Sequence, residues 1–265
     1  MKHLNTYITE YIIKKKLDKP INSEDHYEYH PENKKQLIRN ISELFKKGET
    51  NLNCIDTSKI TDMSYLFGSL NNISIQSINF DVSEWDVSNV EYMQHMFSYC
   101  KSFNGDLSKW NVSNVENMYN MFNECTNFDC DLSNWDVSKV TNMDRTFVYC
   151  SKFTGKGLEN WNVSNVTNMS HMFYYCENFD CDLYDWNVSN VTDMKGMFTW
   201  CNNFTGKGLE NWDVSNVKYM TSMFANCISF EGKGLENWDI SNVKSMNYMF
   251  DGCTSLKNKP SWYKE

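Results

Sequence analysis

From residue 55 onward the apolar positions recur in one order: Trp, then Val at the third and sixth places, then M-x-x-M-F-x-x-C and a second Phe. Trp85, Trp110, Trp135, Trp161, Trp186, Trp212, Trp238 and Trp262 are spaced by 25, 25, 26, 25, 26, 26 and 24 residues. A fixed period of this size marks a stacked repeat architecture. Within one unit, Met169, Met172, Phe173 and Cys176 lie at i, i+3, i+4 and i+7, the spacing of one helix face. Thr167 or Asn168 is placed to cap that helix. Upstream of the next unit's helix, alternation puts Trp186 and Val188 on one side and Asn187 and Ser189 on the other, which predicts a short strand over 183–188.

The expected fold is therefore an α/β solenoid, leucine-rich-repeat-like in its unit length of about 25 residues. Each unit supplies a short parallel strand and a short helix, with the strands in one sheet and the helices on its opposite face. A solenoid of strands alone is the alternative, and the Met and Phe spacing weighs against it.

The ends differ from the array. Leu4, Tyr7, Ile8, Tyr11 and Ile12 share a helical face that ends at Lys14, Lys15 and Lys16. A second helix is expected to start near Pro31, to face Leu37, Ile38, Ile41, Leu44 and Phe45 inward, and to end by Gly48. Residues 1–50 thus read as a helical N-terminal cap. Residues 51–84 read as a divergent first repeat and spacer, with Ile55 in the Trp position and Leu70 and Ile73 in the Cys and second Phe positions. Residues 85–265 read as the repeat solenoid, seven full units and a partial one.

Composition narrows the function classes. The net charge of −9 argues against unassisted nucleic-acid binding, which needs clustered Lys and Arg. The N-terminal stretch does not have the form of a secretion signal, and no run reaches the roughly 18 apolar residues of a membrane span. A cytoplasmic or virion-associated location and no membrane insertion are the expectations. Seven of the ten cysteines form a column (Cys100, Cys125, Cys150, Cys176, Cys201, Cys227 and Cys253) that reads as small buried side chains. Cys130 and Cys181 fill a slot held elsewhere by glycine, which reads as turn packing before it reads as zinc. No Walker loop, nucleophile elbow or H-E-x-x-H motif is present, and no metal or other cofactor is expected.

The segments WNVSNVTNMSHMFYYCENF (161–179) and WDVSNVEYMQHMFSYCKSF (85–103) resemble the repeat of BspA-like leucine-rich-repeat surface proteins. They are more closely similar to a branch first noted in Mycoplasma lipoproteins of unknown function. The resemblance covers residues 55–262. It implies a leucine-rich-repeat-like solenoid with a frequent role in attachment or recognition at cell surfaces, and it implies no catalytic residues.

Candidate binding residues are those that vary among the units. The positions ten and fourteen residues after each Trp vary most, and include His95, Tyr99, Arg145, Tyr149, His171, Tyr175 and Trp200. On a helix they would be i, i+4 neighbours facing away from the Met/Phe stripe. Exposed aromatics beside an Arg suit protein binding and also stack on sugar rings. The alternative is that these rings cover gaps between neighbouring helices. A weaker candidate is the polar side of the expected strand, with Asp86, Asp136, Asp213 and Asp239 in one column. That column reads as a structural ladder or as a face for a polar or cationic partner, and without glycine-spaced motifs it does not read as a calcium site. The expected function is a non-enzymatic recognition scaffold for a protein or glycan, in adhesion or host interaction. The alternative is an assembly component, for example of a phage or virus particle, that self-associates through the C-terminal solenoid edge.

Overall fold

The structure, a computed structural model, describes residues 26–70 and 74–264. The helix expected over residues 4–16 lies outside the described residues, as does Ile73. The helix expected after Pro31 is present as α1 (Lys34–Lys46). The Asn33 side chain accepts the Gln36 N–H at its start (3.1 Å), and Leu37, Ile41, Leu44 and Phe45 are its buried face. Phe45 meets Phe80 at 5.7 Å, and the Lys34 ammonium reaches Asp62 (3.1 Å) and Ser64 (2.7 Å) of the first repeat.

Beyond α1 the strand-plus-helix solenoid unit is not what the chain forms. Among the described residues α1 is the only α-helix, and no strand or sheet is present. Each repeat is instead a succession of tight turns. In the unit that begins near Trp85, backbone bonds close Val82–Trp85 (3.1 Å), Val87–Val90 (2.9 Å), Met93–Met96 (3.1 Å), Phe97–Cys100 (3.0 Å) and Cys100–Phe103 (3.0 Å). Residues at the ends of these turns point inward, and all of them are at most 4 % exposed. A spacing of three and four residues thus arises from consecutive i to i+3 turns as readily as from a helix.

What excludes the helix is the backbone of the residues between. His95 (φ 56°) and Tyr99 (φ 66°) are left-handed, and the same two positions are left-handed in every following unit. Two such residues four apart cannot sit in a right-handed helix. Each occupies the third position of its turn, where a type II turn requires positive φ. Neither Thr167 nor Asn168 caps a helix: Asn168 Oδ1 accepts the Ser170 N–H (2.9 Å) and Thr167 Oγ1 donates to the Thr141 carbonyl (3.2 Å).

The expected strand fails for a related reason. Trp85 and Val87 are buried while Asp86 is exposed, so the alternation is real. However, Asp86 Oδ1 accepts the Ser88 N–H at 3.0 Å, an Asx turn that bends the chain where a strand would continue. Parallel pairing is reduced to isolated bridges: Tyr29–Ile55 and Asn51–Asp81 at the first repeat, and elsewhere one per repeat along Asp62, Tyr92, Asn117, Asn142, Asn168, Asp193, Tyr219 and Ser245.

Each bridge of that line is framed by one backbone N–H donated backward, as Thr167 donates to Thr141 (2.9 Å), and is followed by a run donated forward to the next repeat. Arg145, Phe147 and Tyr149 donate their N–H groups to the carbonyls of Ser170, Met172 and Tyr174 at 2.9, 2.9 and 2.8 Å, and the other units repeat the pattern. Side chains bond in the opposite sense. The Cys176 thiol donates to the Phe147 carbonyl at 2.9 Å, and the Trp161 indole N–H donates to the Leu132 carbonyl at 3.2 Å. Asn165 Nδ2 reaches the Ser138 carbonyl at 2.7 Å. Carbonyls that a sheet would pair are therefore satisfied by recurrent Cys, Trp and Asn side chains.

The interior is a set of aromatic columns. Phe147, Phe173 and Phe198 stack at 5.7 Å with rings 2° and 13° from parallel. Each also meets the second Phe of its own unit, as Phe173 meets Phe179 at 4.0 Å. In the first repeat Phe80 fills that second position, 4.3 Å from Phe67 and 4.7 Å from Phe103. Among the tryptophans, Trp186, Trp212 and Trp238 stack at 6.4 and 6.3 Å, nearly parallel.

Units of 25 and 26 residues stay in register because the extra residue is taken up at one place. Where the spacing is 26, the chain reads G-K-G-L-E-N-W before the next Trp. The second glycine of that run, for instance Gly208 (φ +85°), turns left-handed against the preceding repeat, where a Cβ would collide with the backbone N of Tyr184. Only glycine fits there.

Candidate functional site

The variable positions chosen from the sequence are the left-handed corners. Among the described residues thirteen other than glycine have positive φ, and His95, Tyr99, Arg145, Tyr149, His171, Tyr175 and Trp200 are among them. At a corner of this kind an L-residue other than Gly, Asn or Asp costs about 1–2 kcal/mol. Rings and long side chains held there make two rows, ten and fourteen residues after each Trp position.

The structure brings several of these residues together. In the second row Tyr149 and Tyr175 lie 5.0 Å apart, and Tyr175 and Trp200 lie 5.2 Å apart with rings 24° from parallel. Tyr174 joins this group, 5.6 Å from Tyr149 and 4.9 Å from Tyr175. Tyr99 is exposed but separated from Tyr149 by Glu124, which pairs with Lys101 at 3.2 Å. In the first row His95 stacks on Tyr65 at 4.4 Å, and Asn120 Nδ2 approaches His95 Nε2 at 3.5 Å. His171 is held by Ser170 Oγ at Nδ1 (2.8 Å), with the Tyr174 ring edge-on at 5.6 Å.

The electrostatics of the rows are set by partial burial. Burial lowers the pKa of His95, and burial with the Arg145 charge lowers that of His171, so both imidazoles are neutral near pH 7. Arg145 is bound by Asp144 at 2.9 Å, whose carboxyl is nevertheless raised, chiefly by burial. Lys195 pairs with Asp193 at 3.3 Å and lies 4.2 Å over the Tyr219 ring.

On the weaker candidate face, Asp86, Asp136, Asp213 and Asp239 are exposed, but each carboxylate accepts the N–H of the serine two residues on at 3.0 Å. Bonds from Ser138 and Ser241 hold Asp136 and Asp239 below the usual carboxylate range. These aspartates form Asx corners that shape the backbone, in place of the expected strand ladder. Among the described residues no three metal-ligating side chains converge.

Tyr65 and Tyr248 also belong to the first row; the offset from Trp238 marks Tyr248 as a variable position outside the candidate set, and Tyr65 is an addition from the structure. Tyr248 is the most exposed ring of the set at 69 %. For Tyr65 the offset from Ile55 was the available signal.

Fold and corners together define a repeat protein whose constant positions build an aromatic interior and whose variable positions project from turns. Its sequence matches a family described as "Mycoplasma protein of unknown function, DUF285" over residues 38–156 and 141–263, and the chain belongs to that family. No curated protein matches it.

Proposed function

We propose that the chain is a non-enzymatic recognition scaffold of the BspA-like surface-protein kind, which binds a protein or glycan through its corner rows. The observation that supports this is the placement of Tyr149, Tyr175 and Trp200 at left-handed corners where glycine would be less strained. Strain of this kind is retained where the side chain has a use, and stacked rings with exposed edges are a common protein-binding element. In the Tyr149→Asn, Tyr175→Asn, Trp200→Asn triple variant, asparagine tolerates the left-handed corner. We expect this variant to keep its circular dichroism and to lose at least tenfold in affinity for whatever partner the intact chain captures from a protein extract or glycan array. Undiminished affinity removes these rings from the site.

A second reading, self-association, is supported by the last full repeat. The N–H groups of Met246, Tyr248, Phe250 and Gly252 find no acceptor among the described residues, whereas their equivalents Met220, Ser222, Phe224 and Asn226 are bonded at 2.8, 2.9, 2.9 and 2.6 Å. An exposed row of unpaired backbone groups is a template for another chain. Sedimentation should then show a mass that rises with concentration. A constant monomer mass rejects it.

A further inference from the structure

Taking the corner rows as a binding surface, the geometry also indicates what binds. Tyr175 has Tyr149 at 5.0 Å and Trp200 at 5.2 Å, so other rings flank it and it presents its edge to solvent. Trp200 differs. Its one ring neighbour is Tyr175, and the next residues of its row are Asn226 and Gly252. Asn226 leans over Gly252, its Oδ1 lying close enough that a Cβ there would collide with it. In the parallel row Gly196 stands beside Trp200 and Ser222 beside Asn226, before Tyr248 rises beside Gly252. One indole face therefore looks out over a step of small residues.

We propose that this outer face of Trp200 receives the guanidinium of an arginine carried on a basic protein segment. Trp is the strongest aromatic acceptor for a cation, and the planar guanidinium stacks on it where an ammonium cannot. The chain carries a net charge of −9, which draws a basic partner. Exposed carboxylates of Glu177, two residues beyond Tyr175, and of Asp251, whose carbonyl accepts the Asn226 N–H, lie on either side of the step along the array. Nearby cations are engaged elsewhere, Lys195 with Asp193 and Tyr219, and Lys259 over Tyr263 at 5.3 Å.

Deca-arginine and deca-lysine titrated into the intact chain at low salt test this through tryptophan fluorescence. Trp200 is 36 % exposed and Trp262 half-buried, while the indoles from Trp85 to Trp238 on the ladder are at most 5 % exposed, so the part of the quenching lost in Trp200→Asn reports on Trp200. Deca-arginine should bind at least tenfold more tightly than deca-lysine. Trp200→Asn should abolish that preference, and Glu177→Gln, which keeps the indole, should weaken deca-arginine severalfold. Equal affinity for the two peptides, a preference that survives Trp200→Asn, or competition by maltotriose overturns the assignment. The triple variant's loss of a captured partner, with no arginine preference, would retain the recognition row and reject only the arginine.

Discussion

Above pH 9 the chain should lose its fold over a narrow interval, and the cause is the cysteine column. Cys100, Cys125, Cys150, Cys176, Cys201 and Cys227 are buried, and burial pushes each thiol well above its ordinary value of 9.0. In the unfolded chain they ionise near the ordinary value, while in the folded chain they keep their protons. Between those two values the folded state binds more protons, so stability falls as pH rises. Each thiol contributes about 1.4 kcal/mol per pH unit, and six together about 8 kcal/mol, comparable with the roughly 5–15 kcal/mol that stabilises a domain. Circular dichroism against pH should show a cooperative loss near pH 10 that is absent below pH 8. Cys176→Ala should make the pH dependence shallower by about one proton, which separates the thiols from tyrosines ionising near pH 10. A fold intact at pH 11, or a slope that ignores the substitution, contradicts the argument.

The second large effect is expected at Gly208. Gly208→Ala must hold φ near +85° and place a Cβ against the Tyr184 N and, at 2.6 Å, the Leu183 carbonyl carbon. That backbone cannot withdraw freely, because the Leu183 carbonyl accepts the Trp212 indole at 3.1 Å and the Leu183 N–H donates to Lys207 at 3.2 Å. Left-handed strain of about 1–2 kcal/mol and overpacking of about 1–3 kcal/mol together predict a loss of about 2–5 kcal/mol. Gly48→Ala is the control, since Gly48 has φ +79° with nothing within 4 Å of a Cβ, so it should carry the strain alone. Urea unfolding of the pair reads the difference directly. Equal losses would mean that close approach contributes nothing.

The buried columns were legible because burial follows from period alone: Trp, Met, Phe and Cys had to face inward in whatever element carried them. The element itself was not legible. Met169, Met172, Phe173 and Cys176 satisfy a helix and a run of turns equally, and apolar spacing does not report φ. Left-handed corners usually announce themselves through glycine or asparagine, and within the rows Gly196, Gly252, Asn120 and Asn226 do so, while Tyr, His, Arg, Trp, Glu and Ser conceal the rest. The D-V-S and N-V-S runs were a readable warning, because Asp or Asn two residues before a serine is the pattern of an Asx turn. Interior alternation at Trp186 and Val188 outweighed it. Sequence offsets place Tyr99, Tyr149, Tyr175 and Trp200 in one band, of which the last three meet while Glu124 stands between them and Tyr99. Tyr174 in that band depends on bonds between repeats, which no local pattern encodes.

The backbone bonds between units lie along the stacking direction, so the array has a mechanical character of its own. Tension between its two ends passes in series through every interface, so the weakest opens first and the others hold until it has parted. Such a chain lengthens by whole units, each releasing about 25 residues or roughly 85 Å of extended backbone. Anchored at one end and holding a partner at the other, it would yield in steps while the remaining units kept their shape.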